Sequence, residues 1–235
     1  MRRHLASLAL IFAALTGGAA TSVAAQDNPV VVELFTSQGC SSCPPADALL
    51  AELGGRDDVI PLALHVDYWD YIGWKDRFAM PGFTTRQKGY AMAGGWRKIY
   101  TPQMVINGSH AVVGSRPMKV VDLIRKHQAQ KPKVALDIRR SGNQLSIKAT
   151  ALHDGRPCEI HVIRYAPSKD VEITRGENAG HRLTYTHIVE DWDVAAKWNG
   201  RGTYEGTVRL GGSGPVVVLV QEPGYGPIVA AARLR

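Results

Sequence analysis

Apolar positions change in texture along the chain, from a mixed helix-and-strand pattern up to about residue 130 to an all-β one after Lys133. Val30–Thr36 is a short β-branched and aromatic run bounded by Ser37-Gln38-Gly39, which predicts a strand followed by a turn. Ala46, Leu49, Leu50 and Leu53 then fall at i, i+3, i+4 and i+7, one apolar stripe of a helix that Gly54-Gly55 stops. Pro44 and Pro45 suit the first turn of that helix, where amide hydrogens have no intrahelical partner to lose. Residues 60–66 predict a second buried strand, parallel to the first because a whole helix separates the two. An aromatic-rich stretch over residues 67–82 comes next, and residues 84–92 predict a short helix ending at Gly94-Gly95. Residues 103–106 and 110–113 predict a hairpin turned by Asn107-Gly108. Ser115 and Pro117 open a last helix, on which Val120, Val121, Ile124 and His127 make a mostly apolar face.

Beyond Lys133 only short strands with frequent turns are predicted. Residues 134–139 and 144–152 flank Ser141-Gly142-Asn143, residues 158–165 follow Asp154-Gly155, and residues 216–221 follow a glycine-rich turn. Arg175-Gly176-Glu177-Asn178 and residues 192–198 read as packing and turn chemistry. The order β, α, β, α, β, β, α in the first half is that of the thioredoxin fold. The expected fold class is therefore an α/β thioredoxin-like domain over residues 26–130, followed by an all-β sandwich-like domain over residues 131–235. The second part has the size of an immunoglobulin-like sandwich but lacks the Cys-Trp-Cys pattern of a true one.

The beginning of the chain predicts export. Arg2 and Arg3 precede an apolar run over residues 5–15, and small residues lead to Val23-Ala24-Ala25, the order of a signal peptide over residues 1–25 cleaved after Ala25. That run is too short to span a bilayer, and no later stretch approaches the roughly 18 apolar residues of a transmembrane helix. A soluble periplasmic or secreted protein with no membrane span is expected. The 235 residues carry a formal net charge of +7, but lysines and arginines are scattered rather than gathered in a stripe, which argues against nucleic acid as a partner. No phosphate-cradling glycine loop and no His-x-x-x-His spacing appears. Oligomeric state is left open.

Candidate chemistry rests on Cys40 and Cys43. Cys40 lies at the mouth of a predicted helix, where unpaired amides and the positive end of the dipole favour a thiolate, the nucleophilic form. Cys43, within the first turn, is expected to be more covered and placed to resolve a mixed disulfide formed on a solvent-facing Cys40. Three readings stand open. The pair serves as an exported thiol–disulfide oxidoreductase acting on protein or peptide thiols, with no diffusible cofactor and no metal. It binds Cu(I) through two thiolates, with Met104 or Met92 nearby. Or it is a structural disulfide in a non-catalytic interaction protein, where closing so short a loop contributes about 2 kcal/mol. Cys158 alternates with Ile160 and Val162 and is expected to be a buried, inert thiol. Glu33 is expected to be a solvated strand-edge carboxylate, and His65 with Asp67 ordinary polar packing. Tyr68, Trp69, Tyr71 and Trp74 follow the second strand and are expected to border the cysteines.

Two stretches carry a resemblance. Val32-Glu33-Leu34-Phe35-Thr36 leading to Cys40-Ser41-Ser42-Cys43, with Thr101-Pro102-Gln103-Met104-Val105-Ile106-Asn107-Gly108 downstream, resembles glutaredoxin. The whole chain is similar to an uncharacterised family of secreted bacterial thioredoxin-like proteins, in which Gly39-Cys40-Ser41-Ser42-Cys43-Pro44-Pro45-Ala46-Asp47 is characteristic. The resemblance implies a cis Thr101-Pro102 bond beside the cysteines, offering backbone groups for strand-like pairing with substrate and disfavouring metal capture. Cys40, Cys43, Thr101 and Pro102 are then the catalytic set. A longer interval between Cys43 and Thr101 than in glutaredoxin, and no basic residue shortly before Cys40, leave glutathione out of the expected partners.

Overall fold

Seven consecutive buried residues, Val30–Thr36, form β1, a central strand covered on both faces, as its apolar residues on both faces, interrupted by Glu33, require. The computed structural model describes residues 29–153 and 155–235, so the signal-peptide expectation lies outside the described residues. Helix α1 (Pro44–Leu53) carries the chain back to β2 (Val59–His65), which runs parallel to β1 from Val30↔Val59 to Thr36↔His65. Helix α2 (Pro81–Ala93) begins three residues earlier than its apolar pattern suggests, because Pro81 serves as its first-turn proline. Strands β3 (Gln103–Ile106) and β4 (His110–Val113) form the expected hairpin, with Asn107 and Gly108 both at positive φ. Helix α3 (Pro117–Gln128) closes this half.

The remainder is all strand: β5 (Val134–Ser141), β6 (Gln144–Ala151), β7 (Cys158–Glu172), β8 (Arg182–Trp198), β9 (Thr203–Arg209), β10 (Val216–Gln221) and β11 (Ile228–Leu234). These strands correct the expected fold class of an α/β thioredoxin-like domain followed by an all-β sandwich-like domain. A mixed eight-stranded sheet runs β11-β10-β7-β8-β2-β1-β3-β4, and β5, β6 and β9 form a small sheet of three. Strand β8, absent from the sequence reading, docks parallel to β2 at Ala63↔Ile188 and satisfies what would otherwise be an open edge. One sheet thereby crosses both halves of the chain.

The faces of the large sheet hold separate cores. Val30, Val32, Leu34, Ala63, Met104 and Ile106 meet Ala46 and Leu50 of α1 and Val120 and Ile124 of α3. The opposite face, with Val31, Phe35, Leu62 and Leu64, packs against Phe83 and Tyr90 of α2 and against Val217 and Leu219 of β10. A third cluster seats the small sheet, through Leu145 and Ile147, on Ile160, Val218 and Trp198 of the large one.

Candidate functional site

The chain leaves β1 at Thr36 and reaches α1 through a tight turn that brings the two cysteines together. The Cys40 amide donates to the Ser37 carbonyl at 3.1 Å, and the Cys43 amide to the Cys40 carbonyl at 3.1 Å. Cys43 is the residue flanking α1, and prolines fill the first helical positions, where no donor is lost. Cys40 and Cys43 form a disulfide with Cα atoms 5.4 Å apart, and Ser42 Oγ lies 3.4 Å from Cys40 Sγ. The Thr101-Pro102 bond is cis. Gly114 fixes where that proline sits: a β-carbon there would lie 2.9 Å from Ala46 Cβ and 3.3 Å from Pro102 Cβ, so only glycine lets α1 and Pro102 approach so closely. Trp69 ties the same parts from outside, its Nε1 donating to Thr101 Oγ1 at 2.7 Å while its Cβ lies against Gly39. The four residues Cys40, Cys43, Thr101 and Pro102 therefore converge on the start of α1.

A buried polar cluster lies next to this turn, and its members come from four elements. Asp47 follows Cys43 by one helical turn, its amide donating to the Cys43 carbonyl, and is buried. Burial is the largest influence on its carboxyl, which is pushed up to about 7 against the opposing pull of His65 and the nearby Thr36 hydroxyl; Asp76 adds to the rise. His65, fully buried at the end of β2, has its Nδ1 2.7 Å from Asp76 Oδ2. Asp76 also accepts the amides of Gln38 at 2.8 Å and Phe78 at 2.8 Å, so its part is to orient the imidazole and to hold the turn before Cys40. Four buried atoms of this cluster have no hydrogen-bond partner: Thr36 Oγ1, Gln38 Nε2, Asp47 Oδ2 and His65 Nε2. The rings of Phe78 and Tyr185 stand edge-on to His65, with centroids 5.2 and 5.0 Å away.

Several expectations change here. His65 pairs with Asp76, and Asp67 instead accepts the Thr84 hydroxyl at 2.5 Å. Glu33 is no solvated carboxylate: it is fully buried, with Arg86 Nε donating at 2.7 Å and the Tyr90 hydroxyl at 2.5 Å. Cys40 does not face solvent either, since both disulfide residues are 0% exposed. Asn178 holds the same turn, its side-chain amide donating to the carbonyls of Gln38 at 2.9 Å and Cys40 at 3.1 Å. Trp74 borders the turn through Gln38 Oε1 at 2.9 Å, and Tyr71 is 83% exposed beside it in the same segment. Cys158 is free and buried, its thiol raised to about 11 chiefly by burial. Met104 is buried and Met92 exposed, and among the described residues no group of three or more His, Cys, Asp or Glu could hold a metal ion. Nor is any described helix long and apolar enough to cross a membrane.

Asp47 and Asp76 were given no role by the sequence reading, and Glu177 and Asn178 stood in it as packing and turn chemistry only. Asp47 left a signal there as well, as a carboxylate on the buried face that also carries Cys43 and Leu50.

Comparison with known proteins sets this geometry in a group. Residues 31–221 match a family described as Protein of unknown function (DUF1223). No curated protein matches the chain. Among solved structures, the crystal structure of protein AGR_C_4864 from Agrobacterium tumefaciens is 33% identical, with a TM-score of 0.76 over 89% of this chain and 96% of that one. HBP35 of Porphyromonas gingivalis is 17% identical, with a TM-score of 0.62 over 88% of this chain and 75% of its own, a likeness of fold alone.

Proposed function

We propose that this chain, which belongs to the DUF1223 family, is an exported thiol–disulfide oxidoreductase acting on protein or peptide thiols through Cys40 and Cys43. One observation carries the reading: the disulfide sits at the start of α1 beside a cis proline, with a buried acid that titrates near 7 one turn further along. A bridge that only braces the turn has no use for such an acid. Carboxyl groups shifted this far gather where protons must move.

Starting from the oxidised pair, a substrate thiolate attacks Cys40 Sγ, the Cys40–Cys43 bond breaks, and Cys43 Sγ leaves as a thiolate. Asp47 gives its proton to that sulfur, and His65 and the Thr36 hydroxyl favour the carboxylate that remains. The substrate's second thiol loses its proton and attacks its own sulfur in the mixed disulfide. Cys40 then departs as a thiolate favoured by the amides and dipole of α1. The substrate leaves oxidised by two electrons and the pair is reduced by the same two. Of the two protons lost by the substrate thiols, one restores Asp47, whose own proton now sits on Cys43, and the other goes to solvent while Cys40 remains a thiolate. In the opposite direction Asp47 is the base that activates Cys43.

Cys43→Ser is expected to trap a mixed disulfide through Cys40 when the reduced variant is mixed with a disulfide-bonded peptide, the Cys40 thiolate attacking one sulfur and the other leaving as a thiolate, and Cys40→Ser to trap none. Equal absence of adducts in both variants, measured by non-reducing gels and intact mass, would contradict the exchange reading.

A further inference from the structure

The two sulfur-bearing residues are fully buried although Ser41 and Ser42 between them are exposed. The turn that carries them is held from far along the chain, by the loop that joins β7 to β8. Asn178, 6% exposed, holds the carbonyls of Gln38 and Cys40. Glu177 reaches over the motif from outside and accepts the Ser41 amide at 3.1 Å; the Ser41 hydroxyl first, and that amide with it, keep its carboxyl below the usual range. The bonds of Asn178 and this one from the Ser41 amide are made to main-chain groups of residues 38–41.

The loop is tied together by its own bonds. Ile173 is fully buried against Val171, Tyr185 and Ile188 and anchors its base. Within it the Gly180 amide donates to the Ile173 carbonyl at 2.8 Å, and the Ala179 amide to the Gly176 carbonyl at 3.2 Å. Gly176 and Gly180 bracket the latch residues, both at positive φ, where the missing side chain leaves the backbone free to rotate. Gly176 also rests on Trp74 and Ile72, which gives the closed position a seat.

We propose that residues 174–181 are a gate over the Cys40–Cys43 pair, latched by Asn178 and Glu177 and swinging on Gly176 and Gly180, and that a polypeptide substrate opens it by taking over the latch's own partners. The carbonyls of Gln38 and Cys40 call for donors and the Ser41 amide for an acceptor. An extended peptide presents both from its main chain, whereas a small thiol without amides cannot offset the loss. The inference rests on the exchange reading and adds to it the class of substrate and the device that selects it.

The test compares rates of disulfide opening in the full chain, Asn178→Ala and Glu177→Gln, by rapid alkylation and mass measurement. Two probes serve: dithiothreitol, which has no amide, and an extended peptide with one central cysteine. With dithiothreitol, loss of the two Asn178 bonds is expected to raise the rate roughly tenfold, and loss of the charge on Glu177 by a few-fold. Reoxidation should accelerate by the same factor in each variant, because a gate alters access and not the end states. The cysteinyl peptide should gain much less, since it already displaces the latch in the unaltered chain. Unchanged dithiothreitol rates in both variants would overturn the gate, and equal gains with both probes would overturn selection by the peptide main chain. Should Asn178→Ala not fold, Glu177→Gln carries the test, its side chain lying at the surface. Failure of the exchange reading shows separately, as no trapped peptide on Cys43→Ser while dithiothreitol rates still respond to the latch.

Discussion

Two buried polar clusters lie on opposite faces of the same strand, and they are built to opposite rules. Glu33 and Thr36, three apart on β1, point to different sides of the sheet. Around Glu33 both carboxylate oxygens are answered: Arg86 Nε donates to one at 2.7 Å and the Tyr90 hydroxyl to the other at 2.5 Å, and Arg86 Nη2 reaches both the Tyr90 hydroxyl at 2.6 Å and Gln221 Oε1 at 3.0 Å. Gln221 Nε2 donates in turn to Tyr90 and to the Gly226 carbonyl, and the guanidinium stacks 3.9 Å from the Trp192 ring. Around Thr36 four buried atoms remain unanswered, and one acid is poised near neutrality. A satisfied network fixes a core, whereas an unsatisfied one beside a disulfide stores a proton that chemistry can use. Charge and burial alone do not separate the two acids; the pairing of their carboxylate oxygens does.

The sharpest way to break this contrast is to remove a partner from the complete network. Arg86→Ala leaves the Glu33 carboxylate buried without its cation, and urea unfolding is expected to show a loss of about 3–5 kcal/mol. The rate of Cys40–Cys43 exchange per folded molecule should stay as it was, because the change lies on the other face. A stability loss below about 1 kcal/mol would mean that the pair is no more structural than a surface bridge.

On the other face the expected sign is reversed. The Asp47 carboxyl rises from an ordinary 3.8 to about 7 on folding, so the folded chain holds a proton that the unfolded chain has given up. Stability therefore falls as pH rises from about 4 to about 7 and is level with respect to this group above that. Asp47→Asn removes the penalty and is expected to stabilise the chain by up to about 4 kcal/mol at pH 8 and by little at pH 4. The same variant should slow exchange at neutral pH, since Cys43 loses its proton donor. A variant that gained no stability at pH 8 over pH 4, or that exchanged at the original rate, would place Asp47 with the structural residues.

Local pattern carried the sequence reading as far as local forces decide the outcome. Strands β3 and β4 have the expected ends because Asn107-Gly108 determines the turn, and α1 is set by its prolines and its apolar stripe. Strands β8, β9 and β11 escaped for separate reasons. Glu190, Asp191 and Asp193 interrupt the apolar positions of β8, Gly206 lies inside β9, and three alanines in β11 favour helix by propensity. Their state is decided by partners distant in sequence, and with β8 went the fold class, since the pairing of Ile188 with Ala63 makes one sheet of both halves. The site divides in the same way. Cys40, Cys43 and Thr101-Pro102 are legible as motifs. The hold on their turn is not, because Asn178 reaches Cys40 across a separation of 138 residues.

An equilibrium titration of the Cys40–Cys43 couple against glutathione buffers, read by alkylation and intact mass, bears most directly on whether the incomplete cluster serves a reacting disulfide. Cys40 and Cys43 are expected to change together while Cys158 stays fixed, with a midpoint more oxidising than about −300 mV. A midpoint well below about −300 mV would instead mark a structural bridge and contradict the redox role assigned to the pair.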